Sequence, residues 1–531
     1  LEERIMGYCR DLREHIGNLA AHDKLVRIER EINKDTELMP LVRWQFRGLA
    51  EEKRKAFLFN RVTDSKGKRY PFPVLVGAHA ASRAIYALSL GCEKEEIMER
   101  WNRALTHPIP PIMVKSGPVH EEVHSGMSLL EKGGLAEFPI PISTPGFDNA
   151  PYLTLANWVS RDPETGVINI GNYRAMVKSK TRTGMYASTG QHILNHWHKC
   201  RKMGKPLQAA VVIGASPLVG LVACTKSPYG VDEYAVVGGL AGEPVELVKC
   251  KTIDLEVPAH AEIVIEGEIP TDSLEWDAPF GEFTGYMGAR ALCPYFNVTA
   301  ITHRKDAIYA AFISQFPPSE SSVLRGVAYE ATLLKFLKND CNMPVLEVAL
   351  HDSSGCSAYC VIRMKKTHPA QPWQVLHAAA SLSPPIRKYI IVVDEDINPR
   401  DADAVNWALS FRVQPHRDMQ ITQGMVGWLD PSIDSSETIT EYPIPSGTSA
   451  LLIDATTKWD YPPVSLPKRE FMERARKIWE EEGLPELTVK EPWHGYSLGR
   501  WSKENEEEAL LAIQGDHEET GEKLARGRTI I

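Results

Sequence analysis

Three stretches of this 531-residue chain carry acid, base and cation side chains at spacings that could do chemistry. The first, GVINIGNYRAMVKSK, reads as a β-strand, and alternation places Asn172 and Arg174 on one face and Asn169 on the other. An arginine in a sheet wall is costly unless an anion meets it, whether a bound acid or a surface carboxylate. The second, TGQHILNHWHKC, carries His192, His196 and His198. Positions four apart share a helix face, so the spacing admits a metal site, or else three exposed imidazoles near a helix start. The third, SLEWDAPFGEFTGYMG, brackets a Pro279-Phe280-Gly281 turn with Asp277 and Glu282. Five residues apart on a straight strand, two carboxylates face opposite ways, so the turn is what would bring both toward one cavity. A carboxylate among Phe280, Phe283 and Tyr286 would be desolvated, and its raised pKa would let it hold a proton near neutrality. The alternative is a surface turn with two solvated acids.

Other motifs fail on context. HEEVH, His120 to His124, matches the pattern in which a helix aims two histidines at zinc and a glutamate acts as base. Gly117 and Pro118 before it, Ser125 and Gly126 after it, and the lack of an apolar helical stripe argue for a chance match, leaving a zinc hydrolase as a remote alternative. No phosphate-binding glycine loop, dinucleotide fingerprint or serine-hydrolase elbow is present. Cys356 and Cys360 lack two further soft ligands nearby and read as core thiols.

The elements that must position these residues fall into three blocks and a tail. Residues 1–118 alternate helical patterns (1–19, 37–53, 82–90, 93–104) with short apolar runs, a small α/β unit. After the proline-rich HPIPPIMVKSGP, residues 119–318 are dominated by β-type runs: YLTLANWV, GVINIGNYRAMV, AAVVIGA, EYAVVGGL, AEIVIEGEI, YFNVTAITH and AIYAAFIS. Strands so numerous, with few covering helices, favour a barrel over a doubly wound sheet. Residues 319–467 return to α/β alternation, and 468–531 form a charged helical tail, solvated or partner-facing. The expected class is thus α/β of the α+β kind. Length alone requires several cores, since one core stops growing near roughly 250–300 residues.

Composition excludes further classes. Sixty Lys plus Arg against 69 Asp plus Glu give a net charge of -9 with no basic stripe, so no nucleic-acid partner is expected. LQAAVVIGASPLVGLVA is interrupted by Gln208, Ser216 and Pro217, short of the ~20 clean residues of a membrane helix, and reads as two buried strands around a turn. Nine scattered cysteines form no disulfide framework. The first residues are amphipathic without a signal-peptide layout, and the missing initiator methionine suggests a trimmed end, so a cytoplasmic location is expected.

FPIPISTPGFDNAPYLTLANWVSRDPETGVINIGNYRAM, followed by GQHI, GVDEYAVVGGLAGEPVELVKC, WDAPFGEFTGYMG and LLIDATTKW, resembles the UbiD family of reversible decarboxylases, in order and over nearly the whole chain. The resemblance implies a central split β-barrel of flavin-reductase type that binds prenylated FMN, and a C-terminal α/β oligomerisation domain. It further implies a manganese or magnesium ion on Asn169, His192 and Glu233 that grips the flavin phosphate, a potassium ion held largely by carbonyls, and cofactor contacts from Asn172, Arg174 and Gln191. His196 and His198 then drop out as ligands. Arg174 and Glu282 match two members of a Glu-Arg-Glu catalytic network, while Asp277 stands where ferulic-type enzymes carry glutamate, one methylene shorter. The implied mechanism is covalent catalysis on the flavin, with Arg174 orienting the substrate carboxylate, Glu282 donating the proton and Asp277 tuning it.

The implied substrate is an aromatic or α,β-unsaturated acid, exchanged with carbon dioxide. Asn172, Phe283 and Arg325 are expected in its pocket, and an arginine there predicts a second anionic or polar group, a coenzyme A thioester included. Arg325 could instead face solvent on its helix. Family habit implies a flavin prenyltransferase that supplies the cofactor, and a homodimer or homohexamer. A flavin oxidoreductase or silent flavoprotein is the alternative class, since split barrels that bind FMN also serve reductases.

Overall fold

The structure is a computed structural model and describes residues 8–187, 190–225, 227, 229–382, 388–426, 429–432 and 447–527. It is a mixed α/β protein. The expected helical patterns become Leu12–Ala21, Leu38–Gly48, Arg83–Leu90 and Ile97–Thr106 in the first third. Asp11 caps the first of these and Ser82 the third, each accepting backbone N–H groups that the first turn cannot satisfy. A four-stranded sheet runs Leu25–Ile28, Ala56–Phe59, Val74–Val76 and Tyr309–Ala311. Its last strand, read from sequence with the barrel run, pairs in parallel with Val74–Val76, so the chain returns to the N-terminal layer after the central sheet is complete.

The central sheet runs Ile168–Asn172, Asn157–Arg161, Leu207–Ile213, Ile263–Ile269, Tyr295–His303, Arg182–Gly184, Ala175–Ser179 and Tyr152–Leu153. Glu122–Ser125 pairs off this path with Tyr295–His303. Chain geometry shows why the sheet curls. Ile168–Asn172 and Ala175–Ser179 stand six strand spacings apart in this order, about 29 Å if flat. Only Tyr173 and Arg174 link them, and three Cα steps reach at most about 11 Å. The sheet must therefore roll until its ends approach, and Arg174 sits at the seam.

Two sequence expectations are corrected. Leu207 to Ala223 is one strand, Leu207–Ile213, and one helix, Pro217–Ala223. EYAVVGGL is likewise a helix, Glu233–Ala241. Both helices are buried nearly all round, which erases the 3.6-residue pattern that normally separates helix from strand. Their cues were local: Pro217 at the first helical position, and the pair Gly238 and Gly239. A Cβ at Gly238 would lie 2.2 Å from the Ile109 carbonyl oxygen, so glycine lets this helix pack directly on the neighbouring backbone.

The C-terminal sheet runs Val345–Leu350, Tyr359–Met364, Tyr389–Val393, Gly447–Ala455 and Met419–Val426. Strand alternation feeds two cores. Cys360, Ile362, Ile390 and Val392 pack with helices Glu320–Lys335 and Gln371–Ser381, while Val361, Ile391 and Val393 pack with Ala402–Arg412. Among the described residues the tail is not one helix but three, Arg469–Glu481, Lys503–Gln514 and His517–Arg526, tied back where Tyr496 hydrogen-bonds Asp396. All nine cysteines are free. Among the described residues no helix is long and apolar enough to cross a membrane.

Candidate active site

The seam of the curled sheet opens onto a cavity of about 540 Å³, within the range of small-molecule sites, on the order of 300–1,000 Å³. Asn169, Asn172, Arg174, Gln191, His192, Glu233, Glu282, Phe283 and Arg325 all line it. The alternation argument for the first strand therefore fails. Its last residue is Asn172, and the backbone turns through Tyr173 and Arg174 to start the next strand, so Asn169, Asn172 and Arg174 reach the same space.

Arg174 is the centre of one group. Its guanidinium contacts the Glu282 carboxylate, and its Nε lies 3.5 Å from Asp277 Oδ2. Tyr186 stacks on it at 3.9 Å. Asp277 ends the strand Glu275–Asp277 and is 1% exposed. It does not line the cavity, which corrects the expectation that the turn brings both acids into it. Asp277 instead lies behind Arg174, where Gly184 makes room: a Cβ at 184 would stand 2.3 Å from Asp277 Oδ1. Burial pushes the Asp277 pKa up, and the adjacent Arg174 charge opposes that rise.

Glu282 reaches the cavity on a tight turn. Its N–H donates to the Tyr286 carbonyl at 2.8 Å and the Gly285 N–H donates to its carbonyl at 3.0 Å, with Gly285 at φ +93. Asp148 braces the base of this turn, accepting the N–H of Thr144 at 2.7 Å and of Gly281 at 3.4 Å. Burial pushes the Asp148 pKa up to about 6. Sequence reasoning missed Asp148 and Tyr186. Neither belongs to a spaced motif: Tyr186 meets Arg174 through the pairing of its N–H with the Arg174 carbonyl, and Asp148 lies more than a hundred residues from the turn it holds.

A second group faces the first. His192 opens the helix His192–Lys202 and Glu233 opens Glu233–Ala241, so two helix N-termini, each with unsatisfied N–H groups, meet at the cavity. His192 Nδ1 lies 3.6 Å from Glu233 Oε1, and the Ile170 N–H donates to Glu233 Oε2 at 3.2 Å. Glu233 is 3% exposed and has no Lys or Arg partner among the described residues. Burial accordingly pushes its pKa up. An uncompensated buried carboxylate beside an imidazole and the Asn169 amide is a donor set that suits a hard divalent cation. His196 is a core residue, its Nδ1 3.0 Å from Ser160 Oγ, and His198 packs on Trp197.

Arg325 does not face solvent. From helix Glu320–Lys335 it reaches the cavity, stacks on Phe283 at 4.0 Å and donates to the Gly355 carbonyl at 2.7 Å. It forms no ion pair among the described residues. Asn172 donates to the Thr154 carbonyl at 3.1 Å, leaving its amide oxygen buried and without a hydrogen-bond partner among those residues.

Three family models match consecutive parts of the chain. They are the 3-octaprenyl-4-hydroxybenzoate carboxy-lyase N-terminal domain over residues 16–105, the Rift-related domain over 112–317 and the C-terminal domain over 322–455. The chain belongs to the UbiD family. As a UbiD-type enzyme it is a carboxy-lyase. An uncharacterised protein of Aquifex aeolicus is 32% identical over 511 residues, covering 90% of this chain and 100% of that one. An evolved dimeric form of the UbiD-class enzyme HmfF from Pelotomaculum thermopropionicum, solved with prFMN, is 31% identical, with a TM-score of 0.73 over 86% of this chain and 97% of that one. The vanillic acid decarboxylase of Sedimentibacter hydroxybenzoicus in closed form is 28% identical, with a TM-score of 0.77 over 89% of this chain and 99% of that one.

Proposed function

We propose that this UbiD-family enzyme reversibly decarboxylates an aromatic or α,β-unsaturated acid in the cavity at the sheet seam, with prenylated FMN bound there. The observation that carries this reading is the placing of the Arg174 group and the His192 and Glu233 group on one cavity. Asn169, His192 and Glu233 would hold Mn2+ or Mg2+, which with the two helix N-termini neutralises the flavin phosphate. A potassium ion on backbone carbonyls, and contacts from Gln191 and Asn172, complete the cofactor site. When bound, the modified flavin supplies the electron sink that decarboxylation requires.

The chain's own residues do the rest. Arg174, rigid between Tyr186 and its two acids, pairs with the substrate carboxylate and holds the scissile bond in one orientation. That pairing competes with Glu282 for the guanidinium, so Glu282 is left beside the reacting carbon to deliver a proton. Asp277, behind the guanidinium, adjusts how strongly Arg174 holds either partner. Phe283 packs against the substrate's apolar face. Arg325, which has no ion-pair partner among the described residues, brings a cation to the pocket, which favours a second anionic or strongly polar substituent, a coenzyme A thioester among them. One site serves both directions, and concentrations choose between them. The reading includes a flavin prenyltransferase as cofactor supplier, a flavin-reductase-like central domain, a homodimer or homohexamer and a cytoplasmic setting.

Co-expression with a flavin prenyltransferase, an absorption spectrum and a screen of carboxylic acids test this. A modified-flavin spectrum with carbon dioxide release is expected; flavin-dependent redox turnover without carbon dioxide exchange would favour the oxidoreductase alternative. For Arg325→Ala, turnover of a diacid or thioester should fall by about tenfold or more while a monoacid is spared, the signature of a lost charge-assisted contact. Equal loss for both substrates would remove Arg325 from recognition.

A further inference from the structure

The strand Glu122–Ser125 holds the end of the HEEVH segment, antiparallel to the end of Tyr295–His303, with His124 opposite Ile301 and Glu122 opposite His303. Residues two apart on a strand share a face, so His124 and His303 lie diagonally on one face of the sheet. The turn Gly134–Glu137 lays a carboxylate between them. Glu137 Oε2 is 3.1 Å from His124 Nδ1, and Oε1 is 3.9 Å from His303 Nε2. One donor atom from each residue falls within 4.8 Å of the others.

His303 is the second, independent pointer. Its Nδ1 lies 2.7 Å from the Arg304 carbonyl oxygen, which can only accept, so Nδ1 carries a proton and the lone pair of the neutral ring is at Nε2. That Nε2 is aimed at Glu137 and has no hydrogen-bond partner among the described residues, in a residue 2% exposed. A histidine fixed in this tautomer by a backbone carbonyl is what metal ligation requires. The rings of Phe72 and Phe138 meet His303 edge-on at 5.6 and 5.5 Å and hold its plane. Glu137 has no Lys or Arg ion pair among the described residues, and burial holds its carboxyl above the ordinary range. Glu122 Oε2, 3.9 Å from His124 Nε2, stands where an outer carboxylate orients a ligating imidazole.

We propose that His124, Glu137 and His303 bind one zinc ion, with water completing a tetrahedral site. Two imidazole nitrogens and one carboxylate oxygen match zinc's preferences. None of the three lines the flavin cavity, and the ion joins three separate segments, so its role is to clamp residues 122–137 onto the curled sheet. It is not the helical site that HEEVH suggests. The segment is a turn and a strand, His120 is no ligand, and the Glu121 carboxylate accepts the Lys305 N–H at 2.8 Å.

The test titrates the full chain, stripped by chelator, with Zn2+ alone, reading bound zinc by mass spectrometry, affinity by calorimetry and Tm by calorimetric melting. Wild type and His192→Ala, which disables the cavity's own metal position, should both bind zinc and gain Tm. His303→Gln added to His192→Ala should bind it more than about 100-fold more weakly and gain none. Unchanged affinity in a folded His192→Ala/His303→Gln double variant, or no zinc on His192→Ala at micromolar free metal, overturns the proposal. Should that double variant fail to fold, Glu137→Gln in the same His192→Ala background decides in its place, zinc loss supporting the site and zinc retention overturning it. Turnover enters none of the three readouts, so this result is independent of the decarboxylase reading.

Discussion

Two buried ionic groups in this molecule are charge inversions of each other. At the cavity one guanidinium, Arg174, stands between the carboxylates of Asp277 and Glu282. Deeper in the protein one carboxylate, Glu330, stands between two guanidiniums. Arg83 Nη2 lies 2.8 Å from both Glu330 oxygens, Arg400 donates to them at 3.1 and 3.0 Å, and the Leu350 N–H adds a bond of 2.9 Å. Burial alone raises a carboxylate pKa, yet the outcomes differ in sign: Asp277 is pushed up, while the two cations hold Glu330 down to about 2. The lesson is one of stoichiometry. A carboxylate given two cations and a backbone donor is locked ionised and becomes structure, tying together helices Arg83–Leu90 and Glu320–Lys335 and the loop before Ala402–Arg412. Two carboxylates made to share one cation are less fully compensated, as the raised pKa of Asp277 shows, and that is the arrangement the proposed proton transfer at Glu282 requires.

The largest expected effect breaks the catalytic side. Glu282→Gln keeps size and hydrogen bonding but removes the proton, so turnover should fall at least about 10²- to 10⁴-fold while flavin remains bound, as measured by carbon dioxide release and the absorption spectrum. Retained turnover would end its role as acid. The structural side breaks differently. Glu330→Gln leaves the partly buried Arg83 without its counter-charge and Arg400 with only Glu347, and should lower stability by on the order of 3 kcal/mol in denaturant melts, with kcat of the folded enzyme unchanged.

The same contrast appears with pH. Because the Glu330 pKa is depressed in the folded state, its contribution is fully present above the unfolded value near 4.5 and is lost as pH falls from there toward 2. Unfolding free energy should drop over that window in wild type, and the drop should be shallower in Glu330→Gln. If the two slopes coincide, Glu330 is not locked in its ionised form. The smallest effect sharpens the geometry. Gly184→Ala puts a methyl against Asp277 Oδ1 and should displace it from Arg174, costing about 1–3 kcal/mol of stability and roughly tenfold in kcat, with KM little changed. A crystal structure of the variant with Asp277 unmoved would remove it from the network.

Much of this was legible in the residue order. β-type residue runs marked the strands at 168–172, 207–213, 263–269 and 295–303, helical patterns marked the helices at 83–90 and 97–106, and separated motifs marked the family. Those signals are local: β-branched and apolar runs favour strand, and one-sided burial, as at 97–106, imprints a helical period on the chain. Where burial is two-sided the imprint vanishes, as in the helices at 217–223 and 233–241, which sequence alone reads as strands. What only the tertiary structure decided is who meets whom. The rolling of the sheet turns Arg174 and Asn169 into one cavity despite opposite strand parity, sends Asp277 behind the guanidinium, brings Asp148 under the Glu282 turn, and sets His124 beside His303. Contacts between residues far apart in sequence follow from sheet order and closure, and no property of a single segment encodes them.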